Sequence, residues 1–302
     1  MSGPQNDIQR ALLDTWYTRA RRSPKRVVLA DAGDTRATEA AAALNADGLA
    51  QAVVIEDPAA HISPGVTQLA ESLERPADLS DPLDVAVLMV AAGEADGCVA
   101  GATRPTADVI RAGLRILGTT DAELVSSCFL LLLADGRPIV YGDCGVLPDP
   151  DSQQLASIAV ACAATYEQLT NDEPRVAMLS FSTKGSAEHP RVEKVREATA
   201  LALAMAPDLS LDGELQFDAA VVESIAASKA PGSPVAGRAN VFVFPDLDSG
   251  NIAYKITERI GGALAFGPLL QGLNGVLHDL SRGSTAEDIV NVSVIAGLQA
   301  SS

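Results

Sequence analysis

The chain has 302 residues, enough for two domains of ordinary size, and 47% of them are apolar, with few aromatics. This composition is typical of helices packed on buried parallel strands, so we predict an α/β protein. The formal net charge of -17 argues against nucleic acid or an anionic membrane surface as a partner, because the long-range field repels polyanions. Small anions can still bind where arginines, lysines and helix N-termini gather.

The four cysteines include no C-x-x-C pair and lie in or beside apolar runs, as buried thiols usually do. This pattern fits a reducing cytoplasm. The N-terminal residues lack the apolar core of a signal peptide, and no stretch approaches the uncharged span of about 18 residues that a membrane helix needs. We therefore expect a cytoplasmic protein that does not associate with membranes.

In chain order, the apolar spacing predicts a helix over residues 5–22, which Pro24 ends, and then a strand–helix–strand unit. The Asp135-Gly136 dipeptide predicts a hairpin between two apolar strands. Helices and strands otherwise alternate, which favours parallel sheets with right-handed crossovers. The predicted strands are 26–30, 51–55, 97–101, 126–133, 138–141, 175–181 and 240–244. The predicted later helices are 38–48, 84–92, 106–117, 152–165, 191–206, 219–227, 250–261 and 285–299.

In parallel sheets, ligands collect where strands end and helices begin. One such loop contains Ser182, Thr183, Lys184, Gly185 and Ser186, a composition suited to binding an anion. It is not a Walker A loop, since G-x-x-x-x-G-K-[ST] does not occur in the chain. Helix capping and turn formation explain the same residues, so the pattern alone leaves both interpretations open.

A second polar cluster runs from Asp279 to Asp288. Ser284 and Glu287 have the spacing of a capping box, which places Asp288 in the first turn of the last helix. The helix dipole favours an acid there without any catalytic role. Arg282 suits either a surface ion pair or a ligand clamp.

Neither a hydrolase triad nor a zinc site is supported by the histidines. His278, Asp279 and Ser281 are too close along the chain to point their side chains together, and G-x-S-x-G is absent. His61 and His189 give no H-x-x-x-H spacing, so we predict no metal site.

Several blocks, in one order over nearly the whole chain, resemble the phosphate acetyl/butyryltransferase family. They are 175–186 (RVAMLSFSTKGS), 212–220 (DGELQFDAA), 230–237 (APGSPVAG), 244–247 (FPDL), 250–251 (GN) and 279–283 (DLSRG). The resemblance implies two α/β domains with largely parallel sheets, arranged as in isocitrate and isopropylmalate dehydrogenases. The active site is then expected in the cleft between them. The implied domains are 1–122 plus 271–302, and 123–270, in a homodimer.

The resemblance also implies a reaction, the reversible transfer of an acetyl group between coenzyme A and inorganic phosphate in a ternary complex. By similarity, Asp288 deprotonates the thiol of coenzyme A, which attacks acetyl phosphate. Arg282 and Arg111 hold the phosphate, while Ser281 bonds the thiol or the oxyanion. Coenzyme A is then a substrate, and no cofactor is bound permanently.

Two departures from the family pattern bear on this assignment. An upstream active-site arginine is missing, because residues 70–83 offer only Arg75, and Arg104 stands near a position where the family has His followed by Ser or Thr. We hypothesise that Arg104 supplies the lost charge at the phosphate site. The alternatives are a non-catalytic relative that binds acyl-CoA or acyl phosphate, an acyltransferase for a longer acyl group, and a hydrolase that releases acetate.

Overall fold

In a computed structural model, residues 4–121 and 123–300 are described. The chain folds into two compact units. We call Ala11–Val125 with Phe266–Ser302 the terminal unit, and Met1–Arg10 with Ser126–Ala265 the central unit. The domain boundaries expected from the family resemblance stay a prediction.

Helices and strands alternate along most of the described chain. The α-helices are α1 (Pro4–Arg22), α2 (Thr35–Ala46), α3 (Pro64–Ser72), α4 (Pro82–Ala91), α5 (Thr106–Ile116), α6 (Ser152–Thr170), α7 (Pro190–Met205), α8 (Phe217–Val221), α9 (Glu223–Lys229), α10 (Leu247–Arg259) and α11 (Ala286–Gln299). The strands are β1 (Lys25–Leu29), β2 (Ala50–Val54), β3 (Gly97–Ala100), β4 (Ser126–Leu132), β5 (Pro138–Gly142), β6 (Arg175–Leu179), β7 (Ser210–Leu215), β8 (Val241–Val243), β9 (Leu264–Gln271) and β10 (Val276–Asp279).

The terminal unit contains a four-stranded sheet in the order β10-β3-β1-β2, and all its strand pairs are parallel. Strands β1 and β3 are largely buried, as expected for parallel strands covered on both faces. Asp279 pairs with Ala100, so β10 and β3 end at the same edge of the sheet. The loops that follow these two strands therefore begin side by side.

The central unit contributes β7, β6, β8, β5 and β4, in this order, to a second sheet. β4 and β5 form the predicted hairpin and pair antiparallel, whereas β5–β8, β8–β6 and β6–β7 are parallel. Phe129, Tyr141, Phe242 and Phe244 contribute to the core of this unit. The predicted α/β class with largely parallel sheets is confirmed.

Some elements differ from those predicted. Strands β7, β9 and β10 and helix α3 were not predicted, and the helix expected at 219–227 is two short helices separated at Val222. Ser210–Leu215 reads SLDGEL, whose carboxylates and glycine conceal a strand from an apolar-pattern search. All four cysteines are buried, as expected, and none of them forms a disulfide.

Candidate active site

Three strand ends of the terminal sheet place polar groups at one edge. Asp31 follows β1, Gly101 follows β3 and Asp279 closes β10. The buried Asp31 carboxylate accepts hydrogen bonds from the backbone N–H groups of Ala102 (3.2 Å) and Thr103 (2.9 Å), and from the Thr103 hydroxyl (2.6 Å). The loop between β3 and α5 is therefore anchored where it begins.

Arg36, in the first turn of α2, joins this loop to the polar segment after β10. Its guanidinium is held by Asp34, the N-cap of α2, and donates to the carbonyl oxygens of Ala102 (3.0 Å), Arg282 (3.0 Å) and Ser284 (2.7 Å). Its hydrogen bonds lower the pKa of Asp34. All five guanidinium N–H groups have partners, so the side chain fixes two loops and has no donor left for a substrate.

Sequence reasoning passed over Arg36, although one signal was present. A helix dipole disfavours a cation in the first turn, so an arginine there needs a separate reason. In this chain the reason is the set of carbonyl groups that Arg36 holds.

The segment Ser281–Gly283 forms an exposed turn whose side chains face outward. The turn is closed by a hydrogen bond from the Ser284 N–H to the Ser281 carbonyl (2.9 Å). Within residues 4–121 and 123–300, the Arg282 guanidinium makes no ion pair or hydrogen bond, and Ser281 Oγ accepts only from the Gly283 N–H (3.3 Å). Arg282 thus offers a guanidinium fork on a loop whose backbone is fixed, which suits an oxyanion such as phosphate.

The capping box of α11 lies one residue later than the sequence predicted. Thr285, not Ser284, is the N-cap, and the reciprocal partner is Asp288, not Glu287. Asp288 Oδ2 accepts from the Thr285 N–H (2.8 Å) and from the Thr285 hydroxyl (2.9 Å). The prediction of a Ser284–Glu287 box was wrong because Ser284 belongs to the preceding turn, where Arg36 binds its carbonyl. Asp288 is nevertheless in the first turn, as predicted, and Oδ2 is its capping oxygen.

Arg104 and Arg111 lie in and just after the loop that follows β3. Arg104 makes two hydrogen bonds to Asp81, the N-cap of α4, one of them at 3.0 Å. Arg111 pairs with Asp108 one turn earlier on α5, and 72% of its side chain is exposed. Exposed pairs of this kind hold a side chain only weakly, so Arg111 can exchange its partner for a ligand.

The predicted anion loop 182–186 lies in the central unit and surrounds a carboxylate of the protein itself. Glu214 Oε1 accepts from the Ser182 hydroxyl (2.8 Å) and the Gly185 N–H (2.8 Å), and Arg196 bonds Oε2 (3.0 Å). Burial alone would raise the pKa of Glu214, but the hydrogen bonds from Arg196, Gly185 and Ser182 outweigh it and lower the pKa to about 2. The loop has an anion-binding geometry, and in this structure Glu214 is the anion.

The remaining side chains of this loop also have internal partners. Lys184 forms an ion pair with Asp212, and the Ser186 hydroxyl accepts from the Thr183 N–H (3.0 Å). The Thr183 hydroxyl is hydrogen-bonded to Gln216. Sequence reasoning missed Glu214 because it missed β7. One signal was present: Asp212 and Glu214 are two residues apart, the spacing that places side chains of a strand on one face.

His278 and Asp279 point to different surroundings, so they do not form a relay with Ser281. His278 Nε2 lies 2.6 Å from the side-chain oxygen of Gln299, and burial lowers the pKa of the imidazole to about 4. Asp279 Oδ2 instead accepts from the Thr106 hydroxyl (2.5 Å). Adjacent residues of a strand face opposite sides, which explains the separation.

The described part of the chain contains neither a candidate metal site nor a candidate membrane-spanning helix. No group of three or more His, Cys, Asp or Glu residues there is arranged to hold a metal ion. Among the helices of residues 4–121 and 123–300, none combines the length and the apolarity that crossing a membrane requires.

Comparison with known proteins gives the class of the molecule. A family model described as phosphate acetyl/butaryl transferase matches residues 70–297. A phosphate acetyltransferase of Paracoccus denitrificans is 44% identical, covering 95% of this chain and 98% of that one. A phosphotransacetylase structure from Streptococcus pyogenes aligns with a TM-score of 0.90 at 39% identity, covering 96% of this chain and 98% of the other. The EutD phosphotransacetylase of Staphylococcus aureus aligns at 0.87 and 36% identity, covering 99% and 100% of the two chains.

The chain therefore belongs to the phosphate acetyl/butaryl transferase family. The family predicted from the sequence blocks is confirmed, and so is the expectation of an acyltransferase fold with two α/β domains.

Proposed function

We propose that this chain is a phosphate acetyltransferase, which transfers an acetyl group reversibly between coenzyme A and inorganic phosphate. The observation that carries the proposal is the Ser281–Arg282 turn, whose backbone is fixed by Arg36 while both side chains are exposed. The name phosphate acetyltransferase, borne by relatives 44% and 50% identical to this chain, supports the acetyl group over longer acyl groups.

In the proposed reaction, the sulfur of coenzyme A attacks the carbonyl carbon of acetyl phosphate. A C–S bond forms, the C–O bond to phosphate breaks, and the leaving phosphate keeps the electron pair of that bond. The thiolate is the nucleophile and a free thiol has a pKa of about 8.5, so a carboxylate near the sulfur increases the reactive fraction. We assign this role to Asp288, through the oxygen that does not cap α11.

Charge stabilisation is the second part of the proposal. Arg282 and Arg111 bind the phosphate oxygens, and Ser281 donates a hydrogen bond to the developing oxyanion or to the thiol. Two guanidinium forks suit a phosphate because each can donate two parallel hydrogen bonds. Such donors can contribute several kcal/mol in a site from which water is excluded.

Two further contacts stay predictions. Arg104 is proposed to add charge at the phosphate in place of the missing upstream arginine, for which it would have to leave Asp81. The second contact is between the substrate and the loop residues Ser182, Thr183, Lys184, Gly185 and Ser186. It requires that these residues bind the substrate while keeping their bonds within the loop and to β7. We also propose that the protein is a homodimer, that it holds no permanent cofactor and that it is cytoplasmic. The cytoplasmic location is supported by the four buried cysteines, none of which forms a disulfide.

The function is tested by turnover with acetyl-, propionyl- and butyryl-CoA in the presence and absence of phosphate, followed by loss of thioester absorbance. We expect phosphate-dependent turnover that is fastest with acetyl-CoA. Asp288→Asn should fold normally and lower kcat roughly a hundredfold, the lower range for a lost general base.

Each alternative gives a different result in this assay. Thioester loss without phosphate would indicate a hydrolase, and faster turnover of butyryl-CoA would indicate a longer acyl substrate. Acetyl-CoA binding without turnover would indicate a non-catalytic relative.

A further inference from the structure

The carboxyl group of Asp279 is buried, and only one of its two oxygens has a hydrogen-bond partner in the described structure. The residue is 1% exposed and ends β10, directly before the segment that carries Ser281 and Arg282. Oδ2 accepts the hydrogen bond from the Thr106 hydroxyl, at 2.5 Å. Oδ1 has no hydrogen-bond partner in the described structure. A buried carboxylate with one neutral donor would be costly, which calls for a specific explanation.

Backbone closes the other side of this carboxyl group. Gly101 has φ +109, and a Cβ built on it would lie 2.2 Å from Asp279 Oδ1 and 2.8 Å from the Leu280 nitrogen. Any side chain at position 101 would therefore collide with the acid. The loop after β3 packs directly against the end of β10 because position 101 is glycine.

Within the described residues, no Lys, Arg or His forms an ion pair with Asp279. The nearby arginines are engaged elsewhere, Arg36 with Asp34 and Arg104 with Asp81. Asp31, on the loop after β1, is the charged group that acts on it. Burial raises the pKa of Asp279 to about 7, and the charge of Asp31 adds to this, while the Thr106 hydroxyl and the Leu280 amide oppose it.

Two titratable neighbours of this contact in the described structure are neutral. Cys98 on β3 is fully buried, and burial raises the pKa of its thiol, so the thiol stays neutral. His278, the preceding residue on β10, bonds Gln299 and is neutral because burial lowers its pKa to about 4. Below about pH 7 the neutral acid is therefore the form of Asp279 that this environment favours, and it can still accept the Thr106 hydrogen bond.

The bond to Thr106 joins two segments of the candidate site. Thr106 is the first residue of α5, the helix that carries Arg111, and the N-cap of α5 is Pro105, which makes no side-chain capping bond. Leu280 and Ser281 follow Asp279 directly. The Asp279–Thr106 pair thus connects the start of the Arg111 helix to the start of the Arg282 turn.

We propose that Asp279 is a positioning residue that, through its bond to Thr106, holds the first turn of α5 against the end of β10 and so sets how Arg111 meets the substrate phosphate. This inference rests on the proposed function, since it concerns the phosphate site of that reaction. Asp279 itself touches no substrate in this scheme.

Kinetics of four variants test the proposal. Asp279→Ala and Thr106→Val should each raise the KM for phosphate about tenfold, the effect of losing one buried hydrogen bond, and change kcat less than about threefold. Asp279→Asn, which resembles the neutral acid in shape and charge, should stay within about twofold of wild type. In an Arg111→Ala background, Asp279→Ala should raise KM no further, because the residue acts through Arg111.

Two kinetic outcomes would overturn the proposal. In the first, Asp279→Ala folds normally and leaves the KM for phosphate unchanged. In the second, the rise in this KM in the Asp279→Ala/Arg111→Ala double variant equals the product of the rises in the two single variants. Circular dichroism checks folding, and Thr106→Val provides a milder change if Asp279→Ala does not fold.

Hydrogen exchange separates this inference from the proposed function. Amide exchange over the first turn of α5 should be faster in Asp279→Ala than in Asp279→Asn, whether or not the protein turns over acetyl-CoA. Equal exchange rates would contradict the positioning role, while the absence of phosphate-dependent turnover in wild type would contradict only the function.

The protonation state is tested by thermal unfolding of wild type and Asp279→Asn across pH. The raised pKa makes ionisation costly in the folded state, so wild type should lose Tm relative to Asp279→Asn as the pH rises from about 4 to about 7. A Tm difference independent of pH would show that Asp279 is not held as a neutral acid.

Discussion

Two loops of this protein have similar compositions and different surroundings. Residues 182–186 and 281–285 each follow a strand that pairs in parallel with its neighbours. Each loop combines hydroxyl side chains with one cation and a glycine. In the first loop, Lys184 is paired with Asp212, and the buried Glu214 takes up the donors of Ser182 and Gly185. In the second, the protein holds the backbone through Arg36 and leaves the Arg282 side chain exposed.

The comparison shows that an anion-binding composition does not identify the anion. In loop 182–186 an internal carboxylate already takes up two of the donors, and it comes from a strand that the sequence pattern conceals. Glu214 and Asp279 also show opposite uses of a buried acid. Three donors lower the pKa of Glu214 to about 2, whereas burial raises that of Asp279 to about 7.

The largest effect should come from the loop that keeps its cation exposed. We expect Arg282→Ala to lower kcat/KM for acetyl phosphate roughly a hundredfold or more, because it removes charge stabilisation from the transition state. Steady-state kinetics measures this. Arg137→Ala, at a hairpin turn where 71% of the side chain is exposed, is the matched control and should change little. If Arg282→Ala lowers kcat/KM tenfold or less, the exposed cation of this loop does not have the catalytic importance that distinguishes it from loop 182–186.

An intermediate effect, on stability, should come from the loop that binds its own anion. Glu214→Gln should lower the free energy of unfolding near neutral pH by about 3 kcal/mol, since each pKa unit corresponds to about 1.4 kcal/mol. The pKa of Glu214 is lowered by folding, so this stability is present above about pH 4.5 and is lost as the pH falls toward 2. Urea titrations at several pH values measure the difference.

Glu193→Gln is the control for that experiment. Glu193 also pairs with Arg196, but 69% of its side chain is exposed, so its removal should cost less than about 1 kcal/mol. Equal losses in the two variants would mean that Glu214 does not organise the loop.

The smallest effect should come from Lys184. Its ammonium group is held by Asp212 and by the Gly213 carbonyl (3.1 Å), which favours a structural role. We expect Lys184→Met to change the KM values for coenzyme A and phosphate less than about threefold, as at other positions away from the chemistry. A tenfold rise in either KM would instead support the substrate contact predicted for this loop and would make the two loops alike.

The sequence predicted elements best where local signals were strong. The β4–β5 hairpin was found because an apolar run meets an Asp-Gly turn, and α6 because its small and apolar residues repeat at helical spacing. The strands β7 and β10 were missed because carboxylates and a histidine interrupt their apolar pattern. These side chains are tolerated in strands through partners that local sequence does not reveal.

The amino-acid sequence by itself determined the family and the α/β class, because these depend on short segments read in order. It also predicts Ser281, Arg282 and Asp288 as site residues. Only the tertiary structure decided which polar groups meet. Arg36 reaches the carbonyl of residue 282, and Thr106 bonds Asp279, across 246 and 173 positions of chain. Such contacts arise when strands far apart in sequence become neighbours in one sheet, and burial at their ends then sets the charge of each acid.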